Sequence, residues 1–385
     1  MSDPNTVRVL SLDGGGMRGY ISCVFMDLFV QQWGINPNEI WKYFDVIVGS
    51  SIGGIQALAY SIGLSPTDIS GFFTNDGQWI FTTSTSTPSS QPSTLTKINT
   101  IVGGPFSDPT FYPSTTPGIG TMRLKSGLDT TFGSNTLQNA LTNVIITSFE
   151  KNDANPDYAQ TTNTPVYFSN TNIVPFLSGQ NSLMTDVGMA TSAAPLYFAP
   201  WNIGADSYID GGVTQNNPAS FGLAVAKAIK PVANRFCVLS LGTGLGDVGF
   251  PPATTLAKAK KEIIDLNLDP KAYGEKWRLS SKEVKNLQTL ANNLGALEGA
   301  NLIMYLLGAM STGPQEIAAL ELNIAANYTL SNIYNYRMQY YLQPDLDTEL
   351  DDSTPAILAY YSSSVTDYFN SDISNITTFI GHLNA

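Results

Sequence analysis

The sequence contains very few of the residues that most enzymes use as catalytic bases or metal ligands. Among 385 residues there is one histidine, His382, and there are two cysteines, Cys23 and Cys237, each within an apolar run. Two cysteines are too few for a disulfide framework or for a cysteine-based zinc site. His382 is near the C-terminal end, where chains are poorly held unless they dock. We therefore expect it to be solvated or loosely packed, and not to act as a base.

Positive charge is also scarce, because 19 lysines and arginines stand against 31 aspartates and glutamates. The formal net charge is −12, the isoelectric point is about 4.4, and the one basic cluster is at 258–261. This balance excludes nucleic acid as a partner and excludes purely electrostatic docking on anionic membranes. Peripheral contact with a membrane would therefore depend on an apolar patch.

Long hydrophobic runs and a secretory leader are absent as well. The most apolar segment late in the chain, Leu302–Met310, is too short to span a bilayer. The first residues have neither the basic region nor the apolar region of a signal peptide. We therefore expect a soluble, cytoplasmic protein, and export by a route without an N-terminal signal peptide is the alternative.

A glycine run follows the first predicted strand, Val7–Leu12, and precedes a predicted helix. The run, G-G-G-M-R-G, matches the dinucleotide fingerprint G-x-G-x-x-G. The acidic residue that such a site needs is missing, because the second predicted strand ends in glycine and serine and Glu39 lies in a turn. The alternative is a nest of backbone N–H groups from Gly14, Gly15 and Gly16 that would bind an oxyanion.

A G-x-S-x-G pentapeptide lies between a predicted buried strand and a predicted helix. The strand is Phe44–Val48, the pentapeptide runs from Gly49 to Gly53 around Ser51, and helical spacing of apolar residues begins at Ile52. In this context the pattern is typical of a nucleophile elbow, which presents a serine hydroxyl at a helix N-terminus. The pattern predicts Ser51 as a nucleophile, with a simple turn serine as the alternative.

Without an available histidine, the base for such a serine would be a carboxylate. Asp210 ends a short predicted strand and precedes Gly211 and Gly212. Burial there would raise its pKa towards the range of a general base, and the alternative is an aspartate that caps the next turn. Asp13 also ends a strand, and for it we expect hydrogen bonds to the backbone N–H groups of the glycine run.

Strand and helix patterns alternate through the first 250 residues and predict an α/β fold. Further strands are expected at Pro165–Phe168, Ile173–Leu177 and Phe236–Leu241, and helices at Met184–Ser192 and Pro218–Ile229. This alternation is typical of a three-layer sandwich around a central, mostly parallel sheet.

Two regions depart from this alternation. Residues 82–120 are rich in Ser, Thr and Pro and carry three aromatic residues, Phe106, Phe111 and Tyr112. We expect a surface insertion, and a mobile cover that presents aromatics to an apolar substrate is the alternative.

Beyond residue 253 the patterns are helical, apart from an edge strand at Asn335–Tyr341. The predicted helices are Thr255–Leu266, Ser280–Leu294, Leu297–Met310, Pro314–Leu322, Pro355–Asn370 and Ile373–Leu383. We therefore expect residues 1–250 to form an α/β domain and residues 251–385 to form a mainly helical part packed on that same domain.

Several segments together resemble the patatin-like phospholipase family. Residues 10–19 (LSLDGGGMRG) resemble its oxyanion-hole motif, 44–54 (FDVIVGSSIGG) its nucleophile elbow, and 208–212 (YIDGG) the motif of its second catalytic residue. The segments A-T-S-A-A-P at 190–195 and S-L-G-T-G at 240–244, and the stretch 336–352, are also similar. The resemblance covers nearly the whole chain.

The resemblance implies a patatin-like fold and a lipid acyl hydrolase of the phospholipase A type that works without a metal or another cofactor. Ser51 would be the nucleophile and Asp210 its base, in a dyad that needs no histidine. The oxyanion hole would be formed by Gly14, Gly15 and Gly16, with Arg18 ordering that loop. The residues that would support the motifs are Gly19, Gly49, Gly53, Gly211 and Gly212.

The implied substrate is a phospholipid or another acyl lipid, cleaved through an acyl-enzyme intermediate. Whether a protein activator is needed stays open. Two alternatives also stay open: an acyltransferase that uses the same acyl-enzyme, and a storage or binding protein with residual esterase activity. Covalent labelling of Ser51 by a fluorophosphonate would separate the enzymes from the binding protein.

Overall fold

The computed structural model describes residues 5–81, 119–150, 164–194, 197–245, 317–322, 332–342 and 352–385. The strands are β1 (Thr6–Leu12), β2 (Val46–Ser50), β3 (Asn143–Glu150), β4 (Thr164–Ser169), β5 (Leu177–Ser178), β6 (Trp201–Ile203), β7 (Asp206–Asp210), β8 (Arg235–Leu241) and β9 (Ile333–Met338). They form one sheet in the order β5-β4-β3-β2-β1-β8-β9, with β7 paired to β3 and β6 paired to β7.

The centre of the sheet is parallel. β1 pairs in parallel with β2 and with β8, β2 with β3, and β8 with β9. The pairs β3–β4, β3–β7 and β6–β7 are antiparallel, so the antiparallel strands are added beside β3. The carboxyl ends of β1, β2 and β8 therefore lie at the same edge of the sheet, where α/β proteins place their functional groups.

Helices connect and cover these strands. The helices of the described residues are α1 (Gly19–Trp33), α2 (Ile52–Ser61), α3 (Pro66–Gly71), α4 (Gly77–Phe81), α5 (Ile119–Phe132), α6 (Met184–Ser192), α7 (Gly212–Gln215), α8 (Ala219–Ile229), α9 (Pro355–Ser371) and α10 (Ile373–Asn384). Residues 317–322 are also helical. Local sequence explains some of the boundaries: α1 stops at Gly34, which adopts a positive φ of 73°, and α9 begins after Thr354, whose hydroxyl accepts the Ile357 N–H. None of the helices in this described part of the chain is long and apolar enough to cross a membrane.

Apolar side chains cover both faces of the sheet, because side chains alternate along each strand. On β1, Val7 and Val9 face a core that includes α8, whereas Leu10 and Leu12 face a larger core that includes α1, α2, α9 and α10. The sheet therefore separates two helical layers. This confirms the predicted α/β class, a three-layer sandwich with a mostly parallel central sheet and C-terminal helices.

The described C-terminal residues belong to this same architecture. β9 is the strand beside β8, and α9 and α10 pack in the larger core with α1. The hydroxyl of Tyr336 on β9 donates a 2.6 Å hydrogen bond to Asp372, which lies between α9 and α10. The predicted insertion at 82–120 lies outside the described residues up to residue 118, and its last two residues belong to α5. The predicted helices between residues 255 and 310 also lie outside the described residues, and the domain boundary near residue 250 stays a prediction.

Several elements differ from the sequence expectations. The strand predicted at Ile173–Leu177 is wrong, since only Leu177–Ser178 pairs with β4, and Ile173 and Phe176 are exposed. The edge strand predicted at Asn335–Tyr341 begins two residues earlier and ends at Met338. β6 and α5 were not predicted. β6 has three residues and exists because it pairs with β7, so it leaves no periodicity to detect.

Candidate active site

Ser51 lies on the turn between β2 and α2, with a φ of 53° and a ψ of −127°. It is the one non-glycine residue with a positive φ in the described residues. A residue with a Cβ adopts such a φ only where the surrounding structure enforces it. Close backbone packing does so here, because a Cβ on Gly49 would clash with the backbone of Gly53, and a Cβ on Gly53 with the carbonyls of Leu12 and Asp13. The turn is the strained strand-to-helix turn that the G-x-S-x-G pattern predicts.

Asp210, at the end of β7, contacts the Ser51 hydroxyl. Ser51 Oγ donates a 2.6 Å hydrogen bond to Asp210 Oδ2. The two residues are 159 positions apart in the sequence. Asp210 Oδ1 accepts a second hydrogen bond, also 2.6 Å, from the backbone N–H of Gly212. Both side chains are buried, with 8% of Ser51 and 5% of Asp210 exposed. The structure therefore brings together the two residues that the sequence singled out as nucleophile and base.

Burial raises the pKa of Asp210 to about 6, although the hydrogen bonds from Ser51 and Gly212 lower it. Desolvation is the larger effect because it penalises the charged form of a carboxyl group that water cannot reach. A carboxylate with this pKa is ionised at neutral pH and is a stronger base than an exposed aspartate. The hydrogen bond from Gly212 also fixes the carboxylate, so that its other oxygen faces the serine.

Thr191, in the last turn of α6, connects the Ser51 turn to the Asp210 segment. The backbone N–H of Ser51 donates to Thr191 Oγ1 at 2.9 Å, and this hydroxyl donates to the Thr147 carbonyl at 2.6 Å. The backbone N–H of Gly211 donates to the Thr191 carbonyl at 3.1 Å. Gly211 is glycine because a Cβ there would clash with Thr147. No local pattern marks Thr191; it lies within the A-T-S-A-A-P segment, and its partners are far away in the sequence.

The glycine run packs directly against the Ser51 side chain. A Cβ on Gly14 would lie 3.0 Å from Ser51 Cβ and would clash with the Asn216 side chain. The backbone N–H of Gly14 donates to the Asn216 carbonyl at 3.1 Å, so this amide is already engaged. The amides of Gly15 and Gly16 have no acceptor in the described part of the chain. These two N–H groups belong to the loop beside Ser51 and are available as hydrogen-bond donors.

Arg18 ends the short 3₁₀ turn Gly16–Arg18 that follows the glycine run. Burial lowers the pKa of Arg18, whereas the neighbouring Tyr361 and Tyr197 raise it. In the described residues its Nε has no hydrogen-bond partner. Gly19, the next residue, packs against the start of α2, where a Cβ would clash with the first side chain of that helix. Arg18 is thus held beside the glycine run, and its role in ordering that loop stays a prediction.

Asp13 differs from the sequence expectation, which placed its carboxylate on the N–H groups of the glycine run. The carboxylate is fully buried and accepts two hydrogen bonds from the Arg337 guanidinium, at 2.9 and 2.6 Å. Arg337 also donates to Ser240 Oγ at 2.8 Å. A charged partner stabilises a buried carboxylate in its ionised form, and the partner of Asp13 comes from β9, 324 residues later. Local sequence therefore gave no indication of it.

His382 is half-buried and firmly packed, which corrects the expectation of loose packing. Its ring stacks on Tyr334 with 4.0 Å between ring centroids, and its Nδ1 lies 3.3 Å from Arg235 Nη2. The docking of α10 against the sheet accounts for this, since Arg8 Nε also donates to the Leu383 carbonyl. Burial and the neighbouring Arg235 lower the pKa of His382.

His382 and Ser51 lie at opposite edges of the sheet. The α10 contacts of Arg8 are near the amino end of β1, whereas Ser51 follows the carboxyl end of β2, where Leu12 and Gly49 are in register. At roughly 3.3 Å per residue, the four residues from Arg8 to Leu12 correspond to about 13 Å along the strand. The histidine is therefore docked away from the serine.

In the described residues no group of three or more His, Cys, Asp or Glu side chains is arranged to hold a metal ion.

The chain is similar in sequence to several known proteins. The family model described as Patatin-like phospholipase matches residues 10–222. A cGAMP-activated phospholipase of Vibrio cholerae is 32% identical over 225 residues, which are 57% of this chain and 57% of that protein. Patatin-like protein 1 of Arabidopsis thaliana is 28% identical over 62% of this chain and 59% of that protein. Calcium-independent phospholipase A2-gamma of Mus musculus is 31% identical over 68% of this chain and 31% of that protein.

The chain spans less than three fifths of the length of each of these relatives. The residues matched by the family model, 10–222, are more than half of the 385 residues. They contain the glycine run, the Ser51 turn and Asp210. On this match, the chain belongs to the patatin-like phospholipase family.

Proposed function

We propose that this protein is a lipid acyl hydrolase of the phospholipase A type, with Ser51 as nucleophile and Asp210 as general base. The observation that carries the proposal is the 2.6 Å hydrogen bond from Ser51 Oγ to a buried carboxylate whose pKa is raised to about 6. A nucleophile hydrogen-bonded to a base that is itself held by a third group is the arrangement that covalent catalysis requires. Here the third group is the Gly212 N–H.

In the acylation step, Ser51 Oγ bonds to the ester carbon of the lipid as Asp210 Oδ2 accepts the hydroxyl proton. The carbonyl electrons move onto the oxygen and form a tetrahedral oxyanion. When this intermediate collapses, the bond to the alcohol breaks, and the alcohol takes the proton from Asp210 as it leaves. The lysolipid or alcohol departs and the fatty acyl group stays on Ser51.

In the deacylation step, water attacks the acyl carbon while Asp210 accepts a proton from that water. The second tetrahedral intermediate collapses with cleavage of the bond to Ser51, which takes the proton back from Asp210. The products are a fatty acid and the starting enzyme. Because the base must be ionised at the start of each step, the proposed working range lies above about pH 6.

The backbone N–H groups of Gly15 and Gly16 would stabilise both oxyanions. They lie in the loop whose Gly14 contacts Ser51, and they have no acceptor in the described residues. Each preorganised donor at an oxyanion is worth about 100- to 1,000-fold in rate. Gly14, expected from the sequence to contribute as well, would instead support the loop through its bond to Asn216.

The proposed substrate is a phospholipid or another lipid with a fatty-acyl ester, as the names of the phospholipase relatives suggest. The name of the Vibrio cholerae relative, a cGAMP-activated phospholipase, gives a reason to include cGAMP in the assays. A ligand or protein activator is compatible with the proposed mechanism, because an activator would act on access to the site and not on the chemistry of the dyad.

The test is hydrolysis of a short-chain p-nitrophenyl ester at pH 8, with and without cGAMP. Ser51→Ala and Asp210→Asn should each lower kcat by about a thousandfold or more, as the loss of nucleophile or base does in serine hydrolases. His382→Ala is the matched control and should stay within about twofold of wild type. A fluorophosphonate should label Ser51 in the wild type. An inactive His382→Ala protein with an unchanged melting temperature, or an active Asp210→Asn protein, would contradict the dyad.

A further inference from the structure

The segment 240–244, which comprises the last two residues of β8 and the loop after them, has no role in the mechanism described so far, although its S-L-G-T-G sequence resembles the family. Thr243 within this loop is completely buried. Its hydroxyl donates a 2.9 Å hydrogen bond to the carbonyl oxygen of Gly14. Asn216 Nδ2 donates to the same oxygen at 3.3 Å. The carbonyl of Gly14 is therefore held by two donors, of which Thr243 is the closer.

We propose that Thr243 is a positioning residue that sets the direction of the Gly15 N–H group in the oxyanion hole. The inference rests on the proposed function. In a trans peptide the C=O of one residue and the N–H of the next point in opposite directions. Holding the Gly14 carbonyl on the Thr243 side therefore directs the Gly15 N–H away from Thr243. The Gly15 N–H has no acceptor in the described residues, and Gly14 is the residue that contacts Ser51.

The orientation matters because a peptide group presents a hydrogen-bond donor, the N–H, on one edge and an acceptor, the C=O, on the opposite edge. If the Gly14–Gly15 peptide turned over, the carbonyl oxygen would replace the N–H beside the reacting ester. An acceptor would then face the developing negative charge, and the oxyanion would lose one donor and gain a repulsive dipole. Flanking glycines offer little steric resistance to such a turn, since they have no Cβ. A hydrogen bond from outside the loop is therefore needed to select one orientation.

Thr243 is itself held firmly enough to act in this way. Gly242 N–H donates to the Met338 carbonyl at 2.8 Å, and Gly244 N–H donates to Gln339 Oε1 at 2.9 Å. Both acceptors belong to the end of β9 or the residue after it, so the loop is fixed to the sheet on either side of Thr243. Thr243 also packs closely on Gly15, because a Cβ added to Gly15 would clash with the Thr243 side chain.

The test compares Thr243→Val, which removes the hydroxyl and keeps the shape, with Thr243→Ser, which keeps the hydroxyl. The matched control is Thr185→Val, since Thr185 is also buried but its hydroxyl has no hydrogen-bond partner in the described residues. Each protein is assayed with a short-chain p-nitrophenyl ester, and kcat is expressed per active site counted by complete fluorophosphonate labelling. The rate of that labelling and the melting temperature are measured on the same samples.

We expect Thr243→Val to lower kcat per labelled site by about 10- to 100-fold, with KM within about twofold, because one oxyanion donor is worth up to about 1,000-fold. The labelling rate should fall in parallel, since the phosphonyl oxygen occupies the oxyanion position. Thr243→Ser should stay within about threefold of wild type, as should Thr185→Val. These outcomes support a positioning role, because a loss of folded protein would change the number of labelled sites and not the turnover at each.

Two results would overturn the inference and are distinguishable from each other. If wild type is active and Thr243→Val turns over as fast per labelled site, the hydroxyl does not position the donor, and the proposed function is unaffected. If Thr243→Ser loses as much as Thr243→Val, packing and not the hydrogen bond explains the loss. An inactive and unlabelled wild-type protein would instead contradict the proposed function, and the role of Thr243 with it.

Discussion

Asp210 is a carboxyl group in a buried position, hydrogen-bonded to Ser51 Oγ and to the Gly212 N–H. Burial raises its pKa from 3.8 to about 6. Between these two pH values the folded protein binds a proton more tightly than the unfolded chain, so its stability falls as the pH rises through this window. A difference of two pKa units corresponds to about 3 kcal/mol, which the folded protein loses by pH 7. Ionisation of Asp210, the proposed base, therefore lowers the stability of the folded protein.

This cost predicts that Asp210→Asn is more stable than wild type at pH 7. The free energy of unfolding should be higher by about 1–3 kcal/mol, because the variant buries no charge. The advantage should disappear near pH 4, where Asp210 is protonated in the folded protein. Urea unfolding at pH 4 and pH 7 measures this, with Asp129→Asn, an exposed aspartate on α5, as the control. A variant less stable than wild type at pH 7 would mean that the Ser51 and Gly212 bonds outweigh the burial of the charge.

Single residues also mark the limit of what the sequence predicts. Ser51 could be singled out because it follows a strand and lies between Gly49 and Gly53, and Asp210 because it ends a strand before two glycines; these are local features. Thr191 and Thr243 act through partners 140 and 229 positions away, and nothing beside them in the sequence indicates those contacts. His382 was misjudged for the same reason, since its packing depends on Tyr334 and Arg235. Long-range hydrogen bonds and ring contacts have no local pattern.

At the scale of secondary structure, β9 supplies the charge that neutralises the end of β1. Arg337 on β9 binds the buried Asp13 carboxylate directly before the glycine run, and it also donates to Ser240 at the end of β8. Three neighbouring strands are thus connected at the edge of the sheet that carries the site. Because Asp13 is fully buried, it has no water to replace a lost partner.

We therefore expect Arg337→Met to lower the free energy of unfolding by about 3 kcal/mol or more, since it removes the guanidinium that binds a buried carboxylate. The double variant Asp13→Asn/Arg337→Met should be more stable than Arg337→Met alone, because it also removes the buried negative charge. Urea unfolding of both single variants and the double variant gives the coupling energy. Additive losses would show that the two side chains stabilise the fold independently.

Elements were predicted well where one periodicity runs over many residues. α1, α2, α6, α8, α9 and α10 each present a continuous apolar stripe, and β1 and β8 are mainly apolar strands that are buried along almost their whole length. Prediction failed where an element depends on its neighbour. β6 exists through its pairing with β7, and the exposed Ile173 and Phe176 are apolar residues that the fold does not use in a strand. The antiparallel placement of β7 beside β3, which brings Asp210 to Ser51, is likewise a property of the assembled sheet.

At the scale of the whole molecule, the acidic balance limits how a lipid surface could be recognised. A net charge of −12 gives no electrostatic attraction to anionic lipids, so contact would depend on apolar residues. The aromatic segment 106–112 within the predicted insertion is the candidate from the sequence, and it lies outside the described residues.

Deleting residues 106–112 should lower the hydrolysis of phosphatidylcholine vesicles at least tenfold more than that of a short soluble ester. The reason is that removing aromatic residues weakens contact with the vesicle surface and leaves the chemical step intact. The two rates are measured on the same preparation, and deletion of an equally long serine- and threonine-rich stretch, residues 83–89, is the control. Equal losses on both substrates, or an equal effect of the control deletion, would contradict a role in surface contact.

The separation of Ser51 and Asp210 along the chain has a consequence for biosynthesis. Chains fold from the N-terminus as they are made. A growing chain that has completed β2 and α2 already carries Ser51, the proposed nucleophile. Asp210, the proposed base, arrives 159 residues later, and the arginine that binds Asp13 later still. On the proposed mechanism an unfinished chain would lack its base, and the order of synthesis would delay the first turnover until β7 has joined the sheet.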